Sequence, residues 1–240
     1  MRVLKLAFII AALMFFADAA SAQKSRPKTT KTSSTTVSNA DISTGLKDAL
    51  FQGVRNAVTS LGKENGFLDD IRVRIPLPKT LQKVEKTLRF AGQGKKVDEF
   101  VEAMNHAAEK AVPEATDIFV NSIKQMTFDD ARNILFSKQD DAATQFFRRT
   151  SEEKLREKFR PIVEDFTEKV GVTQKYKQMV GGNALIGSIV GKDATDWDGY
   201  VTQKALDGLF LLIADEEGKI RRDPIGRTTS ILKKVFGILK

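Results

Sequence analysis

Few side chains in this sequence have the type and spacing to do chemistry. Glu109 and Asp141 are the carboxylates that could divide general acid and general base work in a hydrolase-like reaction, provided the fold sets them across one cleft. Asn105, Asp130, Thr144, Glu217 and Arg221 add amide, hydroxyl, carboxylate and guanidinium groups, and the seven together form a candidate polar cluster for a ligand pocket. Asn105 and Glu109 stand one helical turn apart on the flank of an apolar stripe, where side chains are partly buried. A charge at such a boundary needs a partner. The same spacing therefore also predicts a structural ion pair joining Glu109 or Glu217 to Arg148, Arg221 or Arg222.

His106 is the only histidine, so any Ser-His-Asp arrangement or histidine-based metal site leans on that one side chain. At 100° per residue it faces away from the apolar stripe, beside Glu102 and Glu109, which reads as an exposed histidine with acidic neighbours. The pairs Asp129-Asp130 and Asp140-Asp141 resemble a cation site, but each opens a helical segment, where aspartate stabilises unpaired amides and the helix dipole. There is no calcium-loop pattern, Gly-rich phosphate loop, nucleophile elbow or dinucleotide fingerprint. With no cysteine in the chain, thiol catalysis, sulfur-bound metals, disulfides and a lipidated N-terminal cysteine are all excluded. No catalytic residue, metal or cofactor is expected.

The elements that must position these groups read as helices. Val97, Phe100, Val101, Met104, Ala108, Ala111, Ala115, Ile118, Phe119 and Met126 recur every three or four positions, with Pro113 placed to kink the helix they define. Ile42 to Leu61 forms an earlier stripe that stops at Gly62, and residues 79 to 91 another that breaks at Gly92 and Gly94. Between them Ile71, Val73 and Ile75 alternate with Arg72 and Arg74 before Pro76, which predicts one extended segment near residues 71–76 without a strand partner. Thr127 and Asp130 have capping spacing, and Thr150-Ser-Glu-Glu153 reads as a capping box opening a new helix in which Pro161 makes a bend. Gly187 and Gly191, four apart in a glycine-rich stretch, would allow a close helix contact, and the stretch reads equally as a loop or frayed hairpin tip. A helix opened by Thr195 to Asp198 stops at Gly218, and Ile225 to Lys240 forms a last, basic amphipathic helix. The expected fold is all-α: a single-domain irregular multi-helix bundle around a long, proline-kinked central helix.

Composition fits this. At 240 residues and 41% apolar content the chain can bury one substantial core. Residues 1–22 carry Arg2 and Lys5, an apolar run from Leu6 to Ala17 and Ala20-Ser21-Ala22, the form of a secretory signal peptide cleaved after Ala22. The run is too short for the roughly 20 residues of a spanning helix. Residues 23–41 are Ser/Thr/Lys-rich and read as a flexible linker, leaving 42–240 as the helical domain. The net charge of +8 is concentrated early: Arg2, Lys5, Lys24, Arg26, Lys28 and Lys31 against Asp18 and Asp41 leave +4 for everything after residue 45. No basic stripe with interleaved aromatics points to nucleic acid.

Several ordered motifs carry a resemblance. Ile75-Pro-Leu-Pro78, Met104-Asn-His-Ala-Ala-Glu109, Asp130-Ala131 with Ile134-Leu135, Asp141-Ala-Ala-Thr144 with Phe147, Lys204 to Phe210, and Glu217 through Arg221 and Pro224 to Gly237 resemble the bacterial family catalogued as domain of unknown function 4197. The resemblance spans about residues 45 to 240. It implies an all-helical envelope protein of Gram-negative-type bacteria and no activity. It also implies relatives that often look like lipoproteins and usually have arginine where His106 stands.

Three functional readings follow. The leading one is an exported, non-catalytic periplasmic protein that binds a small molecule or an envelope partner. The second is a hydrolase using Glu109 and Asp141. The third is a structural envelope protein making weak peripheral contact with membrane or wall through its basic linker and C-terminal helix.

Overall fold

The computed structural model describes residues 39–180 and 196–222; the signal-peptide reading, the linker reading as far as residue 38, the readings of the Gly187/Gly191 stretch and the helix expected over Ile225 to Lys240 lie outside them. Among the described residues the fold is all-helical, with no strand. The helices are α1 (Asn39–Gly62), α2 (Lys79–Leu88), α3 (Gly94–Ala111), α4 (Ala115–Gln125), α5 (Phe128–Leu135), α6 (Ala142–Lys169), α7 (Val172–Val180) and α8 (Trp197–Arg222). The first helix begins three residues before the Ile42 start of its apolar stripe.

The proline-kinked helix of the sequence pattern is α3 and α4, joined through a 3-10 turn at Val112–Glu114. Pro113 has no N–H for the Glu109 carbonyl and its ring crowds that turn, so the ladder is interrupted where the sequence requires it. Helix α3 is the centre of the bundle. Phe100 and Met104 point into the core, while Ala103, Ala107, Ala108 and Ala111 are small enough to let neighbours approach on more than one side. Helices α1, α6, α7 and α8 all pack on it, and α6 and α8 pack on one another. Ring contacts tie the layers together: Phe100 meets Trp197 edge-on at 5.2 Å, and Phe119 meets Phe147 at 5.1 Å and Phe210 at 6.1 Å. Burial of each such ring contributes about 1.5–3 kcal/mol.

Two helix boundaries differ from the sequence reading. The Thr150 to Glu153 capping box opens nothing, because α6 runs unbroken from Ala142 to Lys169. Ala143, Phe147, Ser151, Leu155, Phe159, Val163 and Thr167 recur every four residues and are all buried, so one continuous helix buries a longer stripe than two fragments would. Thr150 turns its hydroxyl back to the Phe146 carbonyl (2.9 Å), and Ser151 meets Ser122 of α4 at 2.7 Å. Gly218 likewise does not stop α8, which continues to Arg222. A helical glycine costs about 1 kcal/mol, and here the turn beyond it carries Arg221, which must be helical to reach Glu217.

The extended segment also shifts. Residues 71–73 form a turn, with the N–H groups of Val73 and Arg74 bonded to the Asp70 carbonyl, so Ile71 is 90% exposed rather than facing inward. Alternating burial holds over Val73, Ile75 and Leu77. This segment crosses the bundle without a strand to pair with, and Asn105 of α3 takes that place. Its Oδ1 accepts the Ile75 N–H (2.8 Å), and its Nδ2 donates to the Ile75 carbonyl (2.9 Å) and to the Val101 carbonyl (2.8 Å). All side-chain donors and acceptors of a fully buried amide are thus engaged, as strand pairing would engage the backbone. Gly208 of α8 admits the preceding loop, since a Cβ there would lie 2.8 Å from the Phe67 ring and 3.2 Å from Val73.

Asn105→Leu keeps the volume but leaves the Ile75 N–H and carbonyl unpaired in the core. Denaturant unfolding is expected to show a loss of about 2–4 kcal/mol. A loss below about 0.5 kcal/mol would mean that the segment is held by its apolar side chains alone.

Candidate functional site

The buried acids are built into backbone. Glu109, 4% exposed near the end of α3, faces the loop that leaves α1. Its Oε2 accepts the Asn65 N–H (3.2 Å) and its Oε1 accepts those of Phe67 (3.1 Å) and Leu68 (3.4 Å). Asn65 takes a positive φ of 59°, a conformation asparagine tolerates, and the chain curls so that its amides converge on the carboxylate. The partner expected for Glu109 was an arginine; the structure supplies His106, whose Nδ1 lies 2.7 Å from Oε2.

Glu217, also 4% exposed, does the same near the C-terminal end of α8. Its carboxylate accepts the N–H groups of Ala143 and Thr144 and the Thr144 hydroxyl, each at 2.9 Å. These are unpaired first-turn amides of α6, where an anion is favoured by the helix dipole. Asp141 holds the N-cap position but makes no side-chain cap; it accepts from Gln145 instead (2.9 Å). Arg221 completes the structural ion pair, reaching Glu217 at 2.7 Å and donating to the Ile134 carbonyl at the end of α5 (3.0 Å). One ion pair therefore closes the C-terminus of α5 and the N-terminus of α6.

The seven candidate residues fall into separate networks. Asn105 and Glu109 hold the stretch from Asn65 to Ile75, while Thr144, Glu217 and Arg221 meet at the start of α6. Asp130 is apart from both, closing a capping box with Thr127 on α5: Oδ2 accepts the Thr127 N–H at 3.0 Å and its hydroxyl at 2.7 Å. These bonds hold the Asp130 carboxyl below its usual range. Beside Glu217 and Arg221 the crevice measures only about 20 Å³, room for about one water. Another, of about 230 Å³, lies between Gly53, Asn56, Glu216 and Lys219. Asp141 lines neither of these, nor the crevice over Glu109.

That third crevice, about 280 Å³, is bounded by Gly62, Glu64, His106, Glu109, Lys110 and Phe166. Its floor is the bound Glu109 carboxylate and its polar walls are His106, Glu64 and Lys110. His106, expected on the exposed face, is 26% exposed, with Nδ1 held by Glu109 and Nε2 3.6 Å from Glu102. Burial pulls the imidazole pKa down, but the hydrogen bond and charge of Glu109, followed by those of Glu102, outweigh it, and the net shift is upward. An imidazole oriented this way resembles half of a nucleophile-activating pair, yet the residues bounding the crevice include no hydroxyl or thiol. Sequence reasoning missed Glu64, Lys110 and Phe166, which converge here from three elements. The available signal was the three-residue spacing of His106 and Glu109, which places both on one side of α3.

The described residues form a helical bundle whose buried acids bind backbone, with a mid-sized polar crevice above one such acid. The family described as Protein of unknown function (DUF4197) matches residues 36–237, and the chain belongs to that family. Neither the curated proteins nor the solved structures contain a match. No helix among the described residues is long and apolar enough to cross a membrane.

The raised His106 pKa fixes the sign of a pH effect. Below the unfolded value of 6.5 the imidazolium is present in both states and its attraction to Glu109 contributes in full; as pH rises through the higher folded value the contribution is lost. The unfolding free energy of the wild type minus that of His106→Gln is expected to be on the order of 1 kcal/mol near pH 5.5 and to shrink as pH rises through the raised folded value. His106→Arg should flatten this dependence. A difference that grows with pH would contradict the pairing.

Proposed function

We propose that this chain is an exported, non-catalytic periplasmic binding or interaction protein, with the crevice over His106 as its ligand site. The observation that carries the reading is the contrast between its acids. Glu109 and Glu217 spend both carboxylate oxygens on backbone amides, which suits holding a loop or a helix end and not exchanging protons with a substrate. What remains open to a ligand is an imidazole, an ammonium and a carboxylate around about 280 Å³, beside the apolar edge of Phe166. That set favours a small polar molecule carrying both donors and acceptors. Export rests on the signal-like pattern of the first 22 residues.

Native mass spectrometry of the full chain, purified from the periplasmic fraction of its own cells, tests both parts. The expected species begins at Gln23 and carries a non-covalent small-molecule adduct that is depleted in His106→Gln and Lys110→Ala. A ligand-free wild-type mass counts against the binding reading, and a chain that keeps residues 1–22 counts against processing after Ala22.

A further inference from the structure

Helix α2 is amphipathic in a way the bundle does not use. Its buried residues Leu81 and Leu88, 0% and 2% exposed, anchor it to the core. On the opposite side Lys79, Lys83 and Lys86 are exposed. Helical dihedrals persist through Arg89 (φ −64°, ψ −41°), so the next residue, Phe90, continues the same stripe. At 100° per residue the offsets of 0, 4, 7 and 11 place these four side chains within an arc of about 60°, turned directly away from Leu81 and Leu88.

The stripe has two unusual properties. Phe90 is 96% exposed, the most exposed large apolar side chain among the described residues, at the start of a π-turn (Arg89–Gln93) that bends on Gly92 (φ 78°). The three lysines have no ion-pair partner among the described residues, while Arg89, off the stripe, is held by Glu85 (2.9 Å) and Asp98 (2.8 Å). No acid interrupts the stripe; Glu85, the only acid in α2, lies about 100° or more from each of the four.

We propose that this edge of α2 docks the protein on an anionic lipid surface, with Phe90 entering the headgroup boundary and Lys79, Lys83 and Lys86 meeting phosphates. The shape favours a bilayer over a folded protein partner. The stripe is a convex ridge about 16 Å long with its aromatic at the outer turn, which lies flat on a planar surface and offers no pocket to a partner's side chain. Unpaired lysines supply attraction to negative charge, and a lone exposed phenylalanine supplies insertion. This edge is separate from the His106 crevice, and the proposal stands whether or not that crevice takes a ligand.

The test uses the full exported chain with phosphatidylcholine vesicles, with and without about one third phosphatidylglycerol. Sedimentation is expected only with the anionic vesicles, and to weaken in high salt. Lys79→Gln, Lys83→Gln and Lys86→Gln should each lower binding about fivefold. Because Trp197 is buried, Phe90→Trp places an exposed indole at the tip, and its emission should shift to the blue on adding anionic vesicles. All four positions are exposed, so folding serves as a control. Binding unchanged in the triple glutamine variant, with emission of Phe90→Trp unmoved, would overturn the proposal by assigning contact to the basic termini. Binding to soluble polyglutamate as tight as to vesicles and indifferent to Phe90→Ser would also overturn it, in favour of an acidic peptide partner.

Discussion

A carboxylate or amide in a protein core is tolerated only when nearly every lone pair and donor finds a partner, and in this bundle that requirement fixes where the irregular backbone must run. Removing an ion from water costs several kcal/mol, so Glu109 and Glu217 would destabilise the fold if they were merely buried. Both are bound by amides that regular structure leaves unpaired. For Glu109 these are the curled N–H groups after α1, and for Glu217 the first turn of α6. Asn105 gives the same service to a stretch that has the pattern of a strand but no sheet. The helices supply apolar burial, while three polar side chains determine how the connections between them are laid.

This division also governs the candidate site. Because Glu109 is immobilised from below by three amides, His106 is held from one nitrogen and its other nitrogen is presented toward Glu102 and the crevice edge. The crevice therefore has a rigid floor on α3 and more adaptable walls in Glu64 and Lys110. On the proposed binding reading, selection at this site would rest on hydrogen-bond pattern and leave the fold unchanged. The exposed edge of α2 involves none of these anchors, so the proposed surface attachment and the proposed ligand capture would not disturb one another.

Much of the architecture was legible because it rests on period. The stripes of α1, α3 and α4 could be read residue by residue, and Pro113 interrupts the helix where its missing donor requires. Local signals were less dependable. Thr150 to Glu153 has the composition of a cap but lies within an every-fourth-residue stripe, and burial of that stripe outweighed the cap. Gly218 reads as a stop, yet the Glu217–Arg221 pair spans it. Long-range polar pairing was the least legible layer: Asn105 binds a residue 30 positions earlier and Glu217 binds amides 74 and 73 positions earlier, separations that leave no periodic trace. The ion pair of Glu217 with Arg221 could be anticipated from their spacing and from the cost of a buried charge. That Glu217 caps α6 could not, although the absence of an acid at Thr144, where a capping box would place one, was a hint.

Native-state hydrogen exchange reads the anchors individually. The account predicts that the amides of Phe67, Ile75, Ala143 and Thr144, all outside ordinary helix hydrogen bonding, exchange as slowly as core amides of α3, because opening them requires exposing a buried polar group. Exchange at the rate of exposed turn amides at these four positions, with α3 still protected, would contradict it and leave apolar packing as the sole organiser of the connections.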